Sequence, residues 1–248
     1  MGIASAARGL DRVALTNSQI DKLGDRLRSN DIDADCLTKL EQFRSLYVSA
    51  YRYVEDVLVN KVGCKITGRP SKSTVAIVEK LRRETIRLNQ IQDIAGCRIL
   101  VADLASQDAL VETLLVLFPD VDVDDKRRNP TNGYRAVHVI ARKNGRPVEI
   151  QVRTRLQHAW AEISEKVADE LGHSIKYGRG DEAAIYFLQR LSDATAHLDM
   201  ARHQHRALIE EKSRSGKSKT LVARIKAINE KERQKFREIR ALFAGKVQ

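Results

Sequence analysis

The sequence predicts an α/β fold of the α+β kind, in which a strand-rich centre is flanked by helices. Three observations lead to this prediction. Apolar residues recur at three- and four-residue steps through the first 62 residues and again after residue 155, which is the spacing of amphipathic helices. The centre instead holds short apolar runs and alternating runs, which are typical of strands. The chain has 248 residues, of which 42% are hydrophobic, enough to bury a core.

The N-terminal segment is predicted to be helical. Asn17 or Ser18 can cap a first helix. Residues 63–71 hold two glycines and a proline and are expected to form a loop before a helix over residues 73–88. Between the first helix and this loop, one long helix is expected over residues 35–62. Its apolar face consists of Leu37, Leu40, Phe43, Tyr47, Tyr51, Val54 and Leu58.

The central and C-terminal elements follow from the same patterns. A short apolar run at residues 97–102 predicts a buried strand, residues 106–117 a helix, and residues 121–123 a short strand. Strands over residues 134–142 and 148–154 are predicted to form a hairpin, because the turn-forming sequence Asn-Gly-Arg-Pro joins them. The remaining predicted helices cover residues 156–171, 181–212 and 219–243, with a break at 214–217.

The strand over residues 148–154 carries the most informative polar face. Alternation places Glu149, Gln151 and Arg153 on one side of this strand, while Ile150 and Val152 point into the core. A carboxylate supplies a hard oxygen ligand for Mg²⁺, and an arginine holds phosphate. This face therefore predicts a nucleotide site rather than a solvent surface.

The preceding strand and the segment before the buried strand complete this site. Alternation places Tyr134 and His138 on one face and Arg135 on the other. A tyrosine ring offers a stacking surface for a base. Since phosphate-bound Mg²⁺ is usually held by one or two carboxylates, Asp93 is the candidate for a second one. The alternative is that Asp93 and Glu149 are ordinary acids at a strand end or on the surface.

A phosphate-binding element is predicted in residues 68–84. A Gly-Pro loop leads through Lys72 to a cap at Ser73 or Thr74, where a helix begins. Helix N-termini bind phosphate through free backbone N–H groups and the positive end of the helix dipole. The sequence contains no GxxxxGK[ST] motif, so the element is not a Walker loop.

Positive charge is concentrated in two segments of a chain whose net charge is +11. Residues 212–248 hold twelve lysines and arginines against three acids, and residues 123–155 hold nine against three. Both segments indicate polyanionic ligands, and the C-terminal segment is compatible with RNA. The alternative for the C-terminal segment is an amphipathic helix that packs on the core or on a partner. Its apolar stripe is Leu221, Ile225, Ile228, Phe236, Ile239 and Leu242.

The sequence offers no signal for secretion or membrane insertion. The first residues lack an apolar run of signal-peptide length, and no stretch approaches the roughly 20 apolar residues of a membrane span. The three cysteines, Cys36, Cys64 and Cys97, are scattered and form no CxxC motif. A cytoplasmic protein with no membrane association is expected.

Four sequence blocks follow one another between residues 65 and 170. They are Lys72-Ser73 with Ile77 and Lys80, DIAGCRI from Asp93, GYRAVHV from Gly133, and EIQVRTRLQHAWAEI from Glu149. They resemble K-S-x-x-S-I-x-x-K, D-[IL]-x-G-x-R, G-Y-R-S-x-H and E-[IV]-Q-[IL]-R-T of the RelA/SpoT family, the (p)ppGpp pyrophosphokinases. Each block alone is modest, but four in the family's order are highly specific.

The resemblance implies a nucleotidyltransferase-like mixed β-sheet flanked by helices, with helical N- and C-terminal extensions. Its synthetase core would cover residues 63–175, after N-terminal helices over residues 1–62. A helix packing on the core (176–213) and a basic amphipathic tail (214–248) would follow. The implied reaction transfers the β,γ-pyrophosphate of ATP to a ribose 3′-hydroxyl, with Mg²⁺ as cofactor and AMP as leaving group.

The resemblance also assigns site residues by position. Asp93 and Glu149 become the catalytic, Mg²⁺-binding carboxylates. The residues implied for ATP are Arg69, Lys72, Ser73, Lys80 and Arg98. The residues implied for the acceptor are Tyr134, Arg135, His138, Gln151 and Arg153, although strict alternation points Arg135 away from the others. Trp160, in the helix that follows, is expected to pack that helix against the sheet.

The chain departs from the family's pattern at both nucleotide loops. Pro70 stands where the family usually has an arginine, with Arg69 one step further out, and Ala76 replaces a serine. The lysine of the family's P-K-x-x-G-Y is missing, and the candidates to replace it are Lys126, Arg127 and Arg128. These changes leave the chemistry in place and open the identity of the acceptor.

Several functions therefore remain open from the sequence. The default acceptor is GDP or GTP, giving (p)ppGpp. The first alternative is a toxin-type member that pyrophosphorylates the 3′-CCA end of tRNA and is paired with an antitoxin protein, the basic tail contacting RNA. Further alternatives are a non-catalytic RNA-binding protein and a different nucleotidyltransferase. No His-Asp dipeptide occurs, so the hydrolase domain of the family's long members is not expected.

Overall fold

A computed structural model describes residues 15–215 and 219–244 of the chain. The predicted α+β fold is confirmed: a five-stranded mixed sheet is flanked by helices. The helices are α1 (Asn17–Ser29), α2 (Ala34–Ser45), α3 (Val48–Asp56), α4 (Thr74–Arg83), α5 (Leu104–Leu117), α6 (Arg155–Leu171), α7 (Glu182–Ser215) and α8 (Lys219–Ala244). The strands are β1 (Ile66–Arg69), β2 (Ala95–Val101), β3 (Val121–Asp125), β4 (Val137–Lys143) and β5 (Arg146–Thr154).

The N-terminal helices differ from the prediction in two details. The cap of α1 is Thr16, whose hydroxyl accepts from the backbone N–H of Gln19 while the Gln19 side chain accepts from the backbone N–H of Thr16. The single long helix is wrong, because α2 ends at Ser45 and α3 begins at Val48. The backbone N–H of Tyr47 donates to the carbonyl three residues back, which tightens the last turn and interrupts the α-helical ladder. The apolar spacing continues across this break and so conceals it.

Strand order in the sheet is β1-β2-β5-β4-β3, with β2 and β5 parallel and the other pairs antiparallel. The loop predicted over residues 63–71 is wrong at residues 66–69, where β1 pairs with β2 at the sheet edge. Position 68 of this strand requires glycine, because a Cβ there would lie 1.8 Å from the hydroxyl oxygen of Tyr51. A glycine-containing edge strand has no alternating pattern to reveal it.

The hairpin between β4 and β5 is the predicted one, with a shorter turn. Asn144 and Gly145 both have positive φ, 52° and 70°, which is the signature of a type I′ turn. β4 begins at Val137 rather than at residue 134, because the backbone N–H of Tyr134 closes a turn by donating to the carbonyl of Thr131. The strand register pairs His138 with Gln151, so the predicted polar faces of β4 and β5 do meet.

The C-terminal helices α7 and α8 pack against each other as an antiparallel pair. Arg224 of α8 is paired with Glu211 of α7, and Arg202 of α7 lies over the ring of Phe236. Of the predicted apolar stripe, Leu221 is 3% exposed, Ile225, Ile228 and Ile239 are half-buried, and Phe236 is exposed, so this face of α8 is covered only in part. The side chain of Leu242 and the break at residues 216–218 lie outside the described residues.

No helix within the described residues is long and apolar enough to span a bilayer. Two buried clusters form the interior. The larger joins α1–α5 to the sheet, and the smaller joins α6 to α7.

Trp160 packs α6 against α7 rather than against the sheet. Its indole N–H donates to the carbonyl oxygen of Leu188 at 2.8 Å, and its side chain is 4% exposed. Around it are Ala161, Ile175, Ala184, Phe187, Leu188 and Leu191.

Replacing Trp160 with phenylalanine is expected to destabilise the fold. The change removes the indole hydrogen bond to the Leu188 carbonyl, which costs about 0.5–1.5 kcal/mol before any packing loss. Urea unfolding followed by circular dichroism measures the effect. Tyr186→Phe, at an exposed position of α7, is the control and should change little. Equal stability of both variants would contradict a structural role for the indole N–H.

Candidate active site

The site forms where β2 and β5 run side by side in parallel. Asp93 lies two residues before β2, and Gly96 of β2 is paired with Glu149 of β5. A Cβ on Gly96 would lie 2.8 Å from the backbone oxygen of Glu149, so the close approach of the two strands requires glycine there. This pairing brings the two predicted carboxylates to one end of the sheet.

Five side chains on the polar face of β4 and β5 form a closed circuit of hydrogen bonds. His138 Nδ1 lies 2.9 Å from Glu149 Oε1, and His138 Nε2 lies 2.8 Å from the Tyr134 hydroxyl. Arg153 Nη2 donates to both the Tyr134 hydroxyl and Gln151 Oε1, each at 2.8 Å. Gln151 Nε2 closes the circuit by donating to Glu149 Oε2 at 2.6 Å. All five residues were predicted for this site.

Two of the donors in this circuit are fixed by chemistry. Arginine can only donate, so the Tyr134 hydroxyl accepts from Arg153, and a carboxylate can only accept, so His138 Nδ1 donates to Glu149. Two hydrogen-bonded paths thus run from the positive charge of Arg153 to the negative charge of Glu149. They hold the carboxylate in one orientation.

Glu149 is kept ionised although it is only 9% exposed. Burial raises the pKa of this carboxyl group more than any other single cause, but the hydrogen bond and electrostatic effect of His138, with the hydrogen bond from Gln151, together hold the pKa below its ordinary value. Burial also raises the pKa of the Tyr134 phenol, which therefore stays a neutral donor. The arrangement suits a base that is charged and desolvated at neutral pH.

A second cluster surrounds Asp93. Lys72 Nζ lies 2.5 Å and Lys80 Nζ 3.0 Å from its two carboxylate oxygens, and Arg69 donates to its backbone carbonyl at 3.0 Å. Burial raises the pKa of Asp93, but the two lysines more than reverse this and lower it to about 2. Burial lowers the pKa of Lys72. Ser73 caps α4 by accepting from the backbone N–H of Ala76 at 3.3 Å.

Arg98 was predicted to bind ATP together with Lys72 and Lys80. It lies instead beside the hydrogen-bond circuit, away from the lysine cluster. β2 pairs it with Gln151, and burial, with a smaller effect from neighbouring Arg153, lowers its pKa. The Nε atoms of Arg98 and Arg153 are both buried and make no hydrogen bond with the described part of the chain. Buried guanidinium N–H groups that lack partners are suited to an anion.

Arg135 is the predicted site residue that the structure does not bring to the circuit. Its guanidinium donates to Ser192 Oγ, to Asp193 and to the carbonyl of Arg127, so it ties the loop before β4 to α7. Alternation explains this, because Arg135 follows Tyr134 and points the other way. Sequence reasoning did not find Ser192, which lies 57 residues from Arg135 on a helix without a motif.

The three residues expected to replace the missing loop lysine differ in how free their charged groups are to bind a ligand. Lys126 is paired with Asp124 at 2.5 Å. Arg127 is held by Asp125 and Asp108 at 2.8 and 2.7 Å. The side chain of Arg128 is 85% exposed, so within this loop it is the cation most open to a ligand.

The donor set fits a magnesium ion. Asp93 and Glu149 are ionised hard-oxygen ligands, and they lie close enough that the charge of Asp93 acts on the pKa of Glu149. No cluster of three or more His, Cys, Asp or Glu occurs within the described residues, so a metal here would take its remaining ligands from substrate or water. Such a mixed ligand set is usual for phosphate-bound Mg²⁺.

Comparison with known proteins agrees with this geometry. Residues 68–177 match the family model described as a region found in RelA/SpoT proteins. An uncharacterized protein of Mycobacterium tuberculosis is 34% identical over 214 residues, covering 79% of this chain and 78% of that protein. The chain belongs to the RelA/SpoT family. The matched segment contains the Asp93 cluster and the whole circuit.

Two further relatives carry functional names. The GTP pyrophosphokinase of Haemophilus influenzae is 33% identical over 106 residues, covering 40% of this chain and 14% of that enzyme. The small alarmone synthetase 1 of Bacillus subtilis has a similar structure, with a TM-score of 0.55 and 27% identity, covering 70% of this chain and 98% of that one. The same synthetase bound to its product pppGpp aligns with a TM-score of 0.54 and 26% identity, covering 70% and 99% of the two chains.

A cavity of about 350 Å³ lies behind the RelA/SpoT motifs, between α5, α6, α7 and the loop before β4. Neither Asp93 nor any residue of the circuit lines it. On its wall, Asp199 is 3% exposed and accepts from the hydroxyl of Thr154 at 2.6 Å. Burial raises the pKa of Asp199 from 3.8 to about 6.

This shift predicts that Asp199 costs stability above pH 6. The folded state holds the proton more tightly than the unfolded chain, so stability falls as pH rises from about 4 to 6, by roughly 3 kcal/mol in all. Asp199→Asn keeps an acceptor for Thr154 and removes the charge. The variant should match the wild type near pH 4 and exceed it in stability at pH 7.5.

Urea unfolding at both pH values measures the difference. Asp169→Asn, at an exposed position of α6, is the matched control and should not alter the pH dependence. A wild type that gains stability relative to Asp199→Asn as pH rises would contradict the predicted sign.

Proposed function

We propose that this protein is a pyrophosphokinase that transfers the β,γ-pyrophosphate of ATP to the 3′-hydroxyl of GDP or GTP, giving (p)ppGpp. The observation that carries the proposal is the meeting of two charge-opposed groups at the Gly96–Glu149 pairing. One is a lysine cluster suited to polyphosphate, and the other is a desolvated carboxylate held as a base. Membership of the RelA/SpoT family and the likeness to a synthetase solved with pppGpp support it.

The ATP half of the site is proposed to consist of Arg69, Lys72, Lys80 and the N-terminus of α4 behind Ser73. The two lysines neutralise Asp93 in this structure. ATP phosphates would take the lysines, while Asp93 and Glu149 would hold Mg²⁺, which supplies charge neutralisation on the transferred group.

The acceptor half is proposed to lie against the circuit. The 3′-oxygen attacks the β-phosphorus of ATP, the bond from that phosphorus to the α–β bridging oxygen breaks, and AMP leaves with that oxygen. Glu149 takes the proton of the 3′-hydroxyl. The Tyr134 ring is placed to stack on the acceptor base, and the unpartnered Nε atoms of Arg98 and Arg153 offer positive charge for phosphate.

A second candidate acceptor, the 3′-CCA end of tRNA, is favoured by the exposed face of α8. Lys226, Arg233 and Arg237 are exposed there at seven- and four-residue steps, which places them along one side of the helix. Such a stripe is complementary to a nucleic-acid backbone. In this alternative an antitoxin protein would be a partner.

One labelling experiment separates these functions. The protein is incubated with ATP carrying phosphorus-32 on its γ-phosphate, together with GDP, GTP or deacylated tRNA. Label on the guanine nucleotide and release of AMP without ADP support the proposal, whereas label on tRNA selects the second candidate. No transfer to any acceptor would leave an RNA-binding protein without catalysis.

Replacing Glu149 with glutamine should abolish transfer. The amide cannot take the proton, so the rate is expected to fall by about 100- to 10,000-fold while the fold is retained. Initial rates of AMP formation measure it. Glu162→Gln, an exposed residue of α6, is the control and should keep wild-type rates. An active Glu149→Gln enzyme would remove this residue from the chemistry.

Two substitutions of Tyr134 separate stacking from the hydrogen-bond circuit. Tyr134→Ala removes the ring and should raise KM for the acceptor by roughly 5- to 150-fold, the effect of losing about 1–3 kcal/mol of stacking. Tyr134→Phe keeps the ring but removes the hydroxyl that bonds His138 Nε2 and accepts from Arg153, so KM should stay near the wild-type value while kcat falls. If both variants change KM equally, the ring does not stack on the acceptor.

A further inference from the structure

The cavity behind the acceptor loop has the features of a small-ligand site. Its volume of about 350 Å³ lies at the lower end of the roughly 300–1,000 Å³ of such sites. Apolar and aromatic side chains form part of its wall: Leu104, Trp160, Ala196 and Met200. Asp108, Asp125 and Asp199 line it together with Arg127, Arg128 and Arg135, so the formal charges balance. A neutral ligand is therefore better suited to the cavity than a polyanion.

Most polar groups of the wall already have partners. Gln157 is bonded to Gln107 and to the backbone of Thr154, Thr195 donates to the carbonyl of Ser192, and Ser192 donates to the carbonyl of Gly133. Arg127 and Arg135 are held by the contacts described above. Arg128, also on the wall, is 85% exposed at the surface, and the buried groups that remain for a ligand lie on α7, one helical turn apart.

These remaining groups are Asp199 and His203. Asp199 Oδ2 accepts from Thr154, while Asp199 Oδ1 makes no hydrogen bond with residues 15–215 or 219–244. Within the same described residues, His203 Nδ1 is buried and has no hydrogen-bond partner. A buried carboxylate with a free oxygen requires N–H donors.

We propose that this cavity is a binding site for a guanine base, held by Asp199 and lying against Trp160. Guanine presents two neighbouring N–H donors, at N1 and N2, which match a carboxylate. Adenine presents a donor beside an acceptor nitrogen at the corresponding edge, and this nitrogen would face a carboxylate oxygen. At pH 7.5 Asp199, with its pKa of about 6, is mostly ionised and can only accept, which favours guanine.

This cavity is distinct from the proposed acceptor site. Tyr134 does not line the cavity, whereas its neighbours Gly133 and Arg135 do. A Cβ at Gly133 would lie 2.9 Å from the Trp160 ring, so a ligand on Trp160 would contact the backbone that positions Tyr134. The binding inference stands apart from the proposed transfer reaction, since it involves neither Asp93 nor Glu149.

Equilibrium dialysis with radiolabelled guanosine at pH 7.5 tests the proposal. The experiment uses the full chain carrying Tyr134→Ala, which removes the stacking surface of the acceptor site. One equivalent of guanosine is expected to bind. Adding Asp199→Asn should weaken binding at least about 10-fold, the loss of one charge-assisted hydrogen bond. Adding Ala196→Leu should fill the cavity and abolish binding.

Matched controls keep the result interpretable. Ala183→Leu makes the same change at an exposed position of α7, and Asp169→Asn removes an exposed acid from α6, so both should leave the dissociation constant unchanged. Urea unfolding confirms that each variant is folded. Guanosine should quench the fluorescence of Trp160, which is the chain's one tryptophan, and adenosine should bind more weakly.

Three outcomes would overturn the proposal. Guanosine that fails to bind the Tyr134→Ala chain removes the site. Binding that survives both Asp199→Asn and Ala196→Leu places the ligand elsewhere. Adenosine bound as tightly as guanosine contradicts the pairing with Asp199. Loss of transfer activity in other variants would bear on the proposed function and would leave this binding result intact.

Discussion

The parallel pairing of β2 with β5 is the constraint on which the rest of the site depends. It sets Gly96 against Glu149 and so fixes how far Asp93 lies from that carboxylate on the next strand. Both strands leave the sheet in the same direction, so the segment before β2 and the first half of β5 meet at one end. An antiparallel pair in this position would send the Asp93 segment and Glu149 to different places, and the lysine cluster would face no base.

The second constraint is the balance of charge in a buried site. Two carboxylates with little solvent exposure are stable only because each is compensated internally, Asp93 by two lysines and Glu149 by the path through His138 and Tyr134 to Arg153. The compensation of Asp93 differs from that of Glu149. The two lysine ammonium groups contact Asp93 directly, one on each carboxylate oxygen. The circuit around Glu149 is closed, with each member fixed by two neighbours, and preserves one geometry.

Much of this was predictable from the sequence, because alternation and turn chemistry are local. The faces of β5, the type I′ turn at Asn144-Gly145 and the cap at Ser73 all follow from neighbouring residues. The features that the sequence did not predict are long-range or lack a pattern. The strand at Gly68 depends on pairing with β2 and on a close approach of Tyr51 that excludes a Cβ, and the break before α3 preserves the apolar spacing. The closure of the circuit required the β4–β5 register, which no single strand specifies.

The acceptor loop shows why family motifs alone leave the acceptor open. Gly133 and Tyr134 belong to the matched segment, but some of the contacts that hold this loop come from α7, beyond residue 177. Ser192 accepts from Arg135 and donates to the carbonyl of Gly133 at 2.6 Å, and Asp193 binds the Arg135 guanidinium. The position of the stacking ring is therefore set partly by a helix that the shared motifs do not include. This helix makes no hydrogen bond to Glu149, so its contacts with the loop are separate from the circuit around that carboxylate.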